Sequence, residues 1–133
     1  MRTLINLMLC FGLLAIAGCD KDTPGTGTLR GKWELSSETS GMTGKNTTFP
    51  SGNGSILQFG EKTYEVYTGG KQTKSGTYTL NREKSILTGE NGNRIIYDGV
   101  SDGIRTFFRV DDEGLHIWID AYDAPSSTYR KVE

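Results

Sequence analysis

Few residues of this chain carry the chemistry of catalysis. His116 is its one histidine. In "LHIWID" it shares a strand face with Trp118 and Asp120, while Leu115, Ile117 and Ile119 take the other face. A general base needs a partner within hydrogen-bond reach and a pocket that tunes it. A histidine two residues from an aspartate on one face has the outline of such a pair, and equally that of a half-exposed cross-strand residue. No Gly-x-Ser-x-Gly elbow occurs. A zinc site takes three or four ligands, and one histidine supplies too few if Cys10 is discarded with the N-terminal segment and Cys19 is acylated, as expected below. "DDEG" at 111–114 lacks the Asp-x-Asp-x-Asp-Gly register of a calcium loop and reads as a hairpin turn. The expectation is therefore no catalytic residue, no metal ligand, no cofactor, and a protein that is not an enzyme.

Aromatic residues offer more. Tyr64, Tyr78, Phe107 and Trp118 are the candidates for binding an apolar molecule, with Phe108 and Tyr129 adding ring mass nearby. Such rings either line a pocket or fill an interior, and the elements that carry them decide between the two. Phe107 and Phe108 point to opposite faces of one strand, and Trp118 opposes the aliphatic face of its own.

Those elements read as strands throughout. Leu29 to Leu35 alternates with period two, and a long Ser-, Thr- and Gly-rich stretch with Pro50 follows from 36 to 54. A loop of that length inside a compact domain is unusual and has room for a short helix or an extra edge strand. Further strands are expected at Ser55–Phe59, Thr63–Thr68, Gln72–Leu80, Ser85–Thr88, Arg94–Tyr97, Ile104–Val110, Leu115–Asp120 and Ser127–Val132. Turns fall at 60–62, Gly69-Gly70, 81–84, Asn91-Gly92 and 111–114, with Gly76 marking a bulge or bend. Short strands spaced 8 to 12 residues apart with no helix predict an all-β protein. Consecutive hairpins favour a single small antiparallel up-and-down barrel of about eight strands, because closure removes exposed edges.

The N-terminus gives a different kind of signal. Arg2 precedes an apolar run from Leu4 to Ala17, shorter than the roughly 20 residues of a spanning helix and shaped like a signal peptide. Ile16-Ala17-Gly18-Cys19 resembles the lipobox of bacterial lipoproteins. That resemblance implies residues 1–18 as signal peptide, cleavage between Gly18 and Cys19, and acyl chains on Cys19 that hold the protein on the cell envelope, at the outer membrane. Ala15-Ile16-Ala17 is also an A-x-A-like site, which would leave Cys19 unmodified. Two or three acyl chains would make retention effectively permanent, since each buried CH₂ contributes about 0.8 kcal/mol. Residues 19–28 then form a lipidated cysteine and a flexible polar linker that reaches about 30 Å at roughly 3.3 Å per residue. Periplasmic and surface-facing attachment are both compatible with Asp20-Lys21-Asp22.

Residues 29–133 remain as one domain. "LRGKWELSS", with Gly31-x-Trp33, resembles the opening strand of lipocalins, and "LQFGEKTYEVY", "SGTYTL", "GLHIWID" and "STYRKV" follow in the family's order. The chain is similar to the short lipocalin-like domains of bacterial lipoproteins, and is shorter than a full lipocalin. The resemblance implies a structural role for Gly31 and Trp33, with Arg130 from the last strand lying over Trp33 in a cation–π contact.

Charge excludes one partner class. Removing residues 1–18 discards only Arg2 among charged groups, leaving fourteen basic and sixteen acidic residues and a balance of −2. No basic stripe of the kind phosphate contacts demand is present, so no nucleic-acid partner is expected. The functional expectation is a membrane-anchored lipoprotein whose barrel mouth binds a small hydrophobic or partly apolar ligand without catalysis, lined by the 36–54 loop and the aromatic faces. The alternative is a filled barrel whose loops contact an envelope component or a protein partner.

Overall fold

The computed structural model describes residues 28–132. The expected signal peptide, with Gly18 and Cys19, lies outside the described residues. Nine strands follow one another: β1 (Gly31–Thr39), β2 (Asn46–Thr48), β3 (Ile56–Phe59), β4 (Thr63–Thr68), β5 (Lys71–Lys84), β6 (Asn91–Tyr97), β7 (Thr106–Asp111), β8 (Gly114–Ile119) and β9 (Ser126–Lys131). There is no helix among them. All pairings are antiparallel between neighbours in the chain, except that β1 pairs with both β3 and β9. β1, β3 and the six later strands thus close an up-and-down barrel of eight, and β2 pairs beside the end of β1 as a ninth strand.

Alternation decides which residues fill the barrel. Leu35, Leu57, Val66, Ile95, Phe108, Leu115 and Tyr129 face inward, and their odd-register neighbours face solvent or the outer loops. One end is closed. There Trp33, 2 % exposed, sits among Leu29, Phe59, Tyr78, Val110 and Leu115, and its indole N–H donates to the Leu29 carbonyl at 2.8 Å. Tyr78 meets Phe59 edge-to-face at 5.1 Å and donates its hydroxyl to the Gly60 carbonyl at 2.7 Å. The cation over Trp33 is Lys131, 5.6 Å from the ring centroid, because Trp33 pairs with Lys131 in register. Arg130, expected there, pairs with Glu34 and points to the outer wall, where its guanidinium reaches Glu34 at 3.7 Å and the carbonyls of Leu35 and Phe49.

Two other expectations are corrected. β5 runs straight through 81–84, the chain turns at Ser85–Glu90, and Asn91-Gly92 lies inside β6. Gly92 is used for space rather than for a turn: a Cβ there would stand 2.8 Å from the Phe107 ring. The positive φ that reverses the chain is at Gly89 (71°). By contrast, Gly69 and Gly70 take positive φ in succession (57° and 78°) and make the tight β4–β5 hairpin as read. The long 36–54 stretch resolves into the second half of β1, the edge strand β2, and a segment fastened to the outer wall. There the Gly52 N–H donates to Glu34 at 2.7 Å and the Asn53 amide donates to the Leu35 carbonyl at 2.9 Å.

Candidate ligand-binding site

The end opposite Trp33 is open. β1 leaves the closed end at Gly31 and brings Leu35 upward, β3 and β4 contribute Leu57 and Val66, and β8 ends there with Ile117 and Ile119. Together with Tyr97 at the end of β6 and Tyr129 on β9, these residues line a cavity of about 480 Å³. That lies within the roughly 300–1,000 Å³ of small-molecule pockets. Ser55, Glu38, Thr106 and Ser127 add polar atoms near its rim.

The floor is aromatic. Tyr97 meets Tyr64 edge-to-face at 4.8 Å. Tyr64 is 2 % exposed and donates its hydroxyl to Asp98 at 2.8 Å. Asp98 also accepts from the Thr77 N–H at 3.0 Å, and the Tyr64 hydrogen bond above all holds its carboxyl below the ordinary range. Gly76 is where this clamp fits. A Cβ there would collide with the Asp98 carboxylate, so the glycine marks a close approach. The register shift of this strand pair lies elsewhere, opposite Val66 and Tyr67.

Two hydroxyls belong to the cavity itself. Burial pushes the Tyr97 phenol far above its usual range, reinforced by the phenols of Tyr129, Tyr64 and Tyr78 and offset by no hydrogen-bond donor. Burial also raises Tyr129, partly offset by Ser127. Both groups are protonated at neutral pH. They can donate a hydrogen bond to a guest and cannot act as bases there.

Of the four aromatic residues singled out in sequence, Trp118 is among those lining the cavity, and Tyr64, Tyr78 and Phe107 are not. Tyr64 and Tyr78 point inward but are spent on Asp98 and on Gly60. Phe107 and Trp118 stand together on the outer face, stacked at 6.1 Å with 28° between planes, and Trp118 also contributes to the cavity lining. The reason is register: β7 and β8 turn Phe108 and Ile117 inward, which sends Phe107 and Trp118 out. Tyr97 was missed, and Tyr129 was named only as ring mass nearby. Their signal was positional, since each lies on its strand in phase with buried aliphatic residues, Ile95 for Tyr97 and Leu115 across from Tyr129.

His116 also lies on the outer face. Its Nε2 is 3.0 Å from Asp111 and its Nδ1 is 3.2 Å from the Thr128 hydroxyl. It does not meet Asp120, whose carboxylate accepts from Ser85 at 2.6 Å, Ile86 N–H at 2.9 Å and Leu87 N–H at 3.2 Å, and pairs with Arg105 at 2.8 Å. Asp111, Glu113 and His116 bring their ligand atoms within 4.8 Å of one another. Arg109 already occupies Asp111 at 2.9 Å, so a cation has been supplied by the chain itself. The 111–114 segment is the β7–β8 hairpin turn.

Comparison with protein-family models, with curated proteins and with solved structures gives no significant match.

Proposed function

We propose that this protein is an envelope-anchored lipoprotein, held by acyl chains on Cys19, whose barrel mouth binds a small, partly apolar molecule without transforming it. The observation that carries the reading is the cavity of about 480 Å³ with aliphatic walls and two partly buried phenols. Leu35, Leu57, Val66, Ile117 and Ile119 would take the apolar part of the guest. Each Å² so removed from water contributes roughly 25 cal/mol. Tyr97 and Tyr129 would orient the guest by donating to an acceptor such as a carbonyl, ether or carboxylate oxygen. A binding role is supported over a catalytic one by the same groups. They are neutral donors, and the chain's one histidine lies outside the barrel, paired with Asp111.

Native mass spectrometry tests this on a soluble form beginning at Asp20, purified from its native compartment. A defined additional mass that disappears on organic extraction is expected. Val66→Trp should abolish it by filling the cavity. A bare polypeptide mass, unchanged when fatty acids, sterols and quinones are added, overturns the reading. It would favour the filled-barrel interaction protein, for which the rim loops offer Val100, Ile104 and Tyr122, exposed by 57 %, 71 % and 78 %.

A further inference from the structure

The outer face of β8, β9, β1 and β2 carries an unusual surface. Register places residues in two rows across these four strands. Trp118 is opposite Ser126, Ser126 opposite Thr39, and Thr39 opposite Asn46. In the next row His116 is opposite Thr128, Thr128 opposite Ser37, and Ser37 opposite Thr48. Cross-strand partners share a face, so one tryptophan is followed by a field of short neutral hydroxyl and amide groups. The field spans three strand spacings, about 14 Å. Its charged groups lie at one edge, where Arg109, opposite His116, pairs with Asp111 at 2.9 Å and His116 contacts the same carboxylate at 3.0 Å.

The tryptophan at the end of this field is braced. Phe107, wholly buried, stacks behind it, and Arg105 lies over Phe107 at 5.3 Å. Gly92 leaves room for the Phe107 ring. The 85–90 turn is pinned by Asp120, so that Leu87 and Thr88 form one wall of a groove of about 460 Å³ over Trp118, with Ser126 and Thr128 opposite. One ring is thus backed from behind at a groove that mixes the hydroxyls of Thr88, Ser126, Ser127 and Thr128 with aliphatic side chains.

We infer that this strip binds a neutral oligosaccharide. A pyranose ring presents apolar C–H groups on its faces and hydroxyls around its edge. The C–H face suits an aromatic plane, and the edge hydroxyls suit side chains that both donate and accept, as Ser, Thr and Asn do. An apolar guest would leave those hydroxyls desolvated, and an anionic one would find the groove's Arg109 already paired with Asp111. The 14 Å run of the field accommodates a short chain of sugars, with the first ring on Trp118 and later ones over Ser126, Thr39 and Asn46. This strip lies on the outer side of the β8–β9 wall and meets the mouth where the two share Ile117, Trp118, Ile119 and Ser127.

The test uses the full chain in a detergent without sugar headgroups, probed on a glycan array holding neutral and anionic oligosaccharides, with saturation-transfer NMR on any hit. Expected is saturable binding of at least one neutral oligosaccharide. Trp118→Ala should weaken it about tenfold or more. Ser126→Val and Thr39→Val, which keep the ring, should each weaken it severalfold. Val66→Trp, inside the barrel, should leave it unchanged. The inference is overturned by binding of anionic glycans alone, by neutral binding that Trp118→Ala does not alter, or by no Trp118-dependent binding across the array. Circular dichroism of each variant separates lost binding from lost fold.

Discussion

The two ends of the barrel are built from the same material and finished differently. Each has aromatic rings with polar tips set among aliphatic side chains. At the closed end every such tip meets a backbone carbonyl of the chain itself: Trp33 that of Leu29, Tyr78 that of Gly60. At the mouth the partly buried Tyr97 phenol stands near other phenols and makes no hydrogen bond to the described residues, which leaves it free to face a guest. The chain therefore invests in packing where the barrel shuts and withholds it where the barrel opens. On the proposed reading, stability and recognition are separated along the barrel axis, and substitutions at the two ends should report different things.

The largest expected effect comes from the closed end. Trp33→Ala removes a ring that is 2 % exposed and a satisfied N–H donor, and leaves a void between Leu29 and Phe59. Urea unfolding should show a loss of about 3–5 kcal/mol. Ligand affinity at the mouth, measured where the variant is still folded, should not change. A loss of affinity comparable to that of a mouth variant would break the comparison.

Acid should act next in size, and on the other end. The rim loops that follow β6 and β8 are held by Asp98 and Asp120 rather than by apolar packing. Burial alone would push Asp120 up, but the Ser85 hydroxyl, the Ile86 and Leu87 N–H groups and Arg105 outweigh it and hold the carboxyl below its ordinary range. Asp98 shifts the same way, through Tyr64 first and the Thr77 N–H second. An unfolded aspartate titrates near about 3.9. A folded value below that means the stabilisation is complete above pH 4 and is lost as pH falls through the folded value. NMR on acidification should therefore show the amides of 85–90 and 98–105 loosening before the Trp33 indole signal moves. Asp120→Asn, at a cost of about 1–3 kcal/mol at neutral pH, should flatten the acid dependence of the 85–90 turn. Simultaneous loss of both ends would mean the rim is not an independent unit.

Most of the barrel was legible because its evidence is local. Period-two alternation and paired glycines such as Gly69-Gly70 act within a few residues, and eight of the nine structural strands, all but β2, overlap segments marked in that way. The β5–β6 hairpin was misplaced because its evidence is remote. Asn91-Gly92 has the composition of a turn, yet Gly92 is needed beneath Phe107, and the real turn at Ser85 is capped by Asp120 from 35 residues further on. The partner of Trp33 was missed by one residue for a related reason. The β1–β9 register, set by the closure of the whole sheet, puts Lys131 rather than Arg130 opposite it. The mouth was the least legible part. Alternation says which residues share a face, but only the assembled stagger says which end of each strand is open.

The smallest expected change in stability is the most discriminating. Tyr97→Phe deletes one oxygen and keeps the ring against Tyr64 at the cavity floor. If the phenol were a structural group like that of Tyr78, its loss would orphan a carbonyl and cost about 1 kcal/mol or more. At Tyr97 no donor or acceptor is left behind, so the unfolding free energy should stay within about 0.5 kcal/mol or rise slightly. Affinity for the cavity's guest should fall about tenfold, the worth of one hydrogen bond to an oriented acceptor. Tyr78→Phe should show the inverse pattern, with stability reduced and affinity intact. Two substitutions of identical chemistry, at opposite ends of one barrel, would then differ only in whether the chain or the guest completes the hydrogen bond.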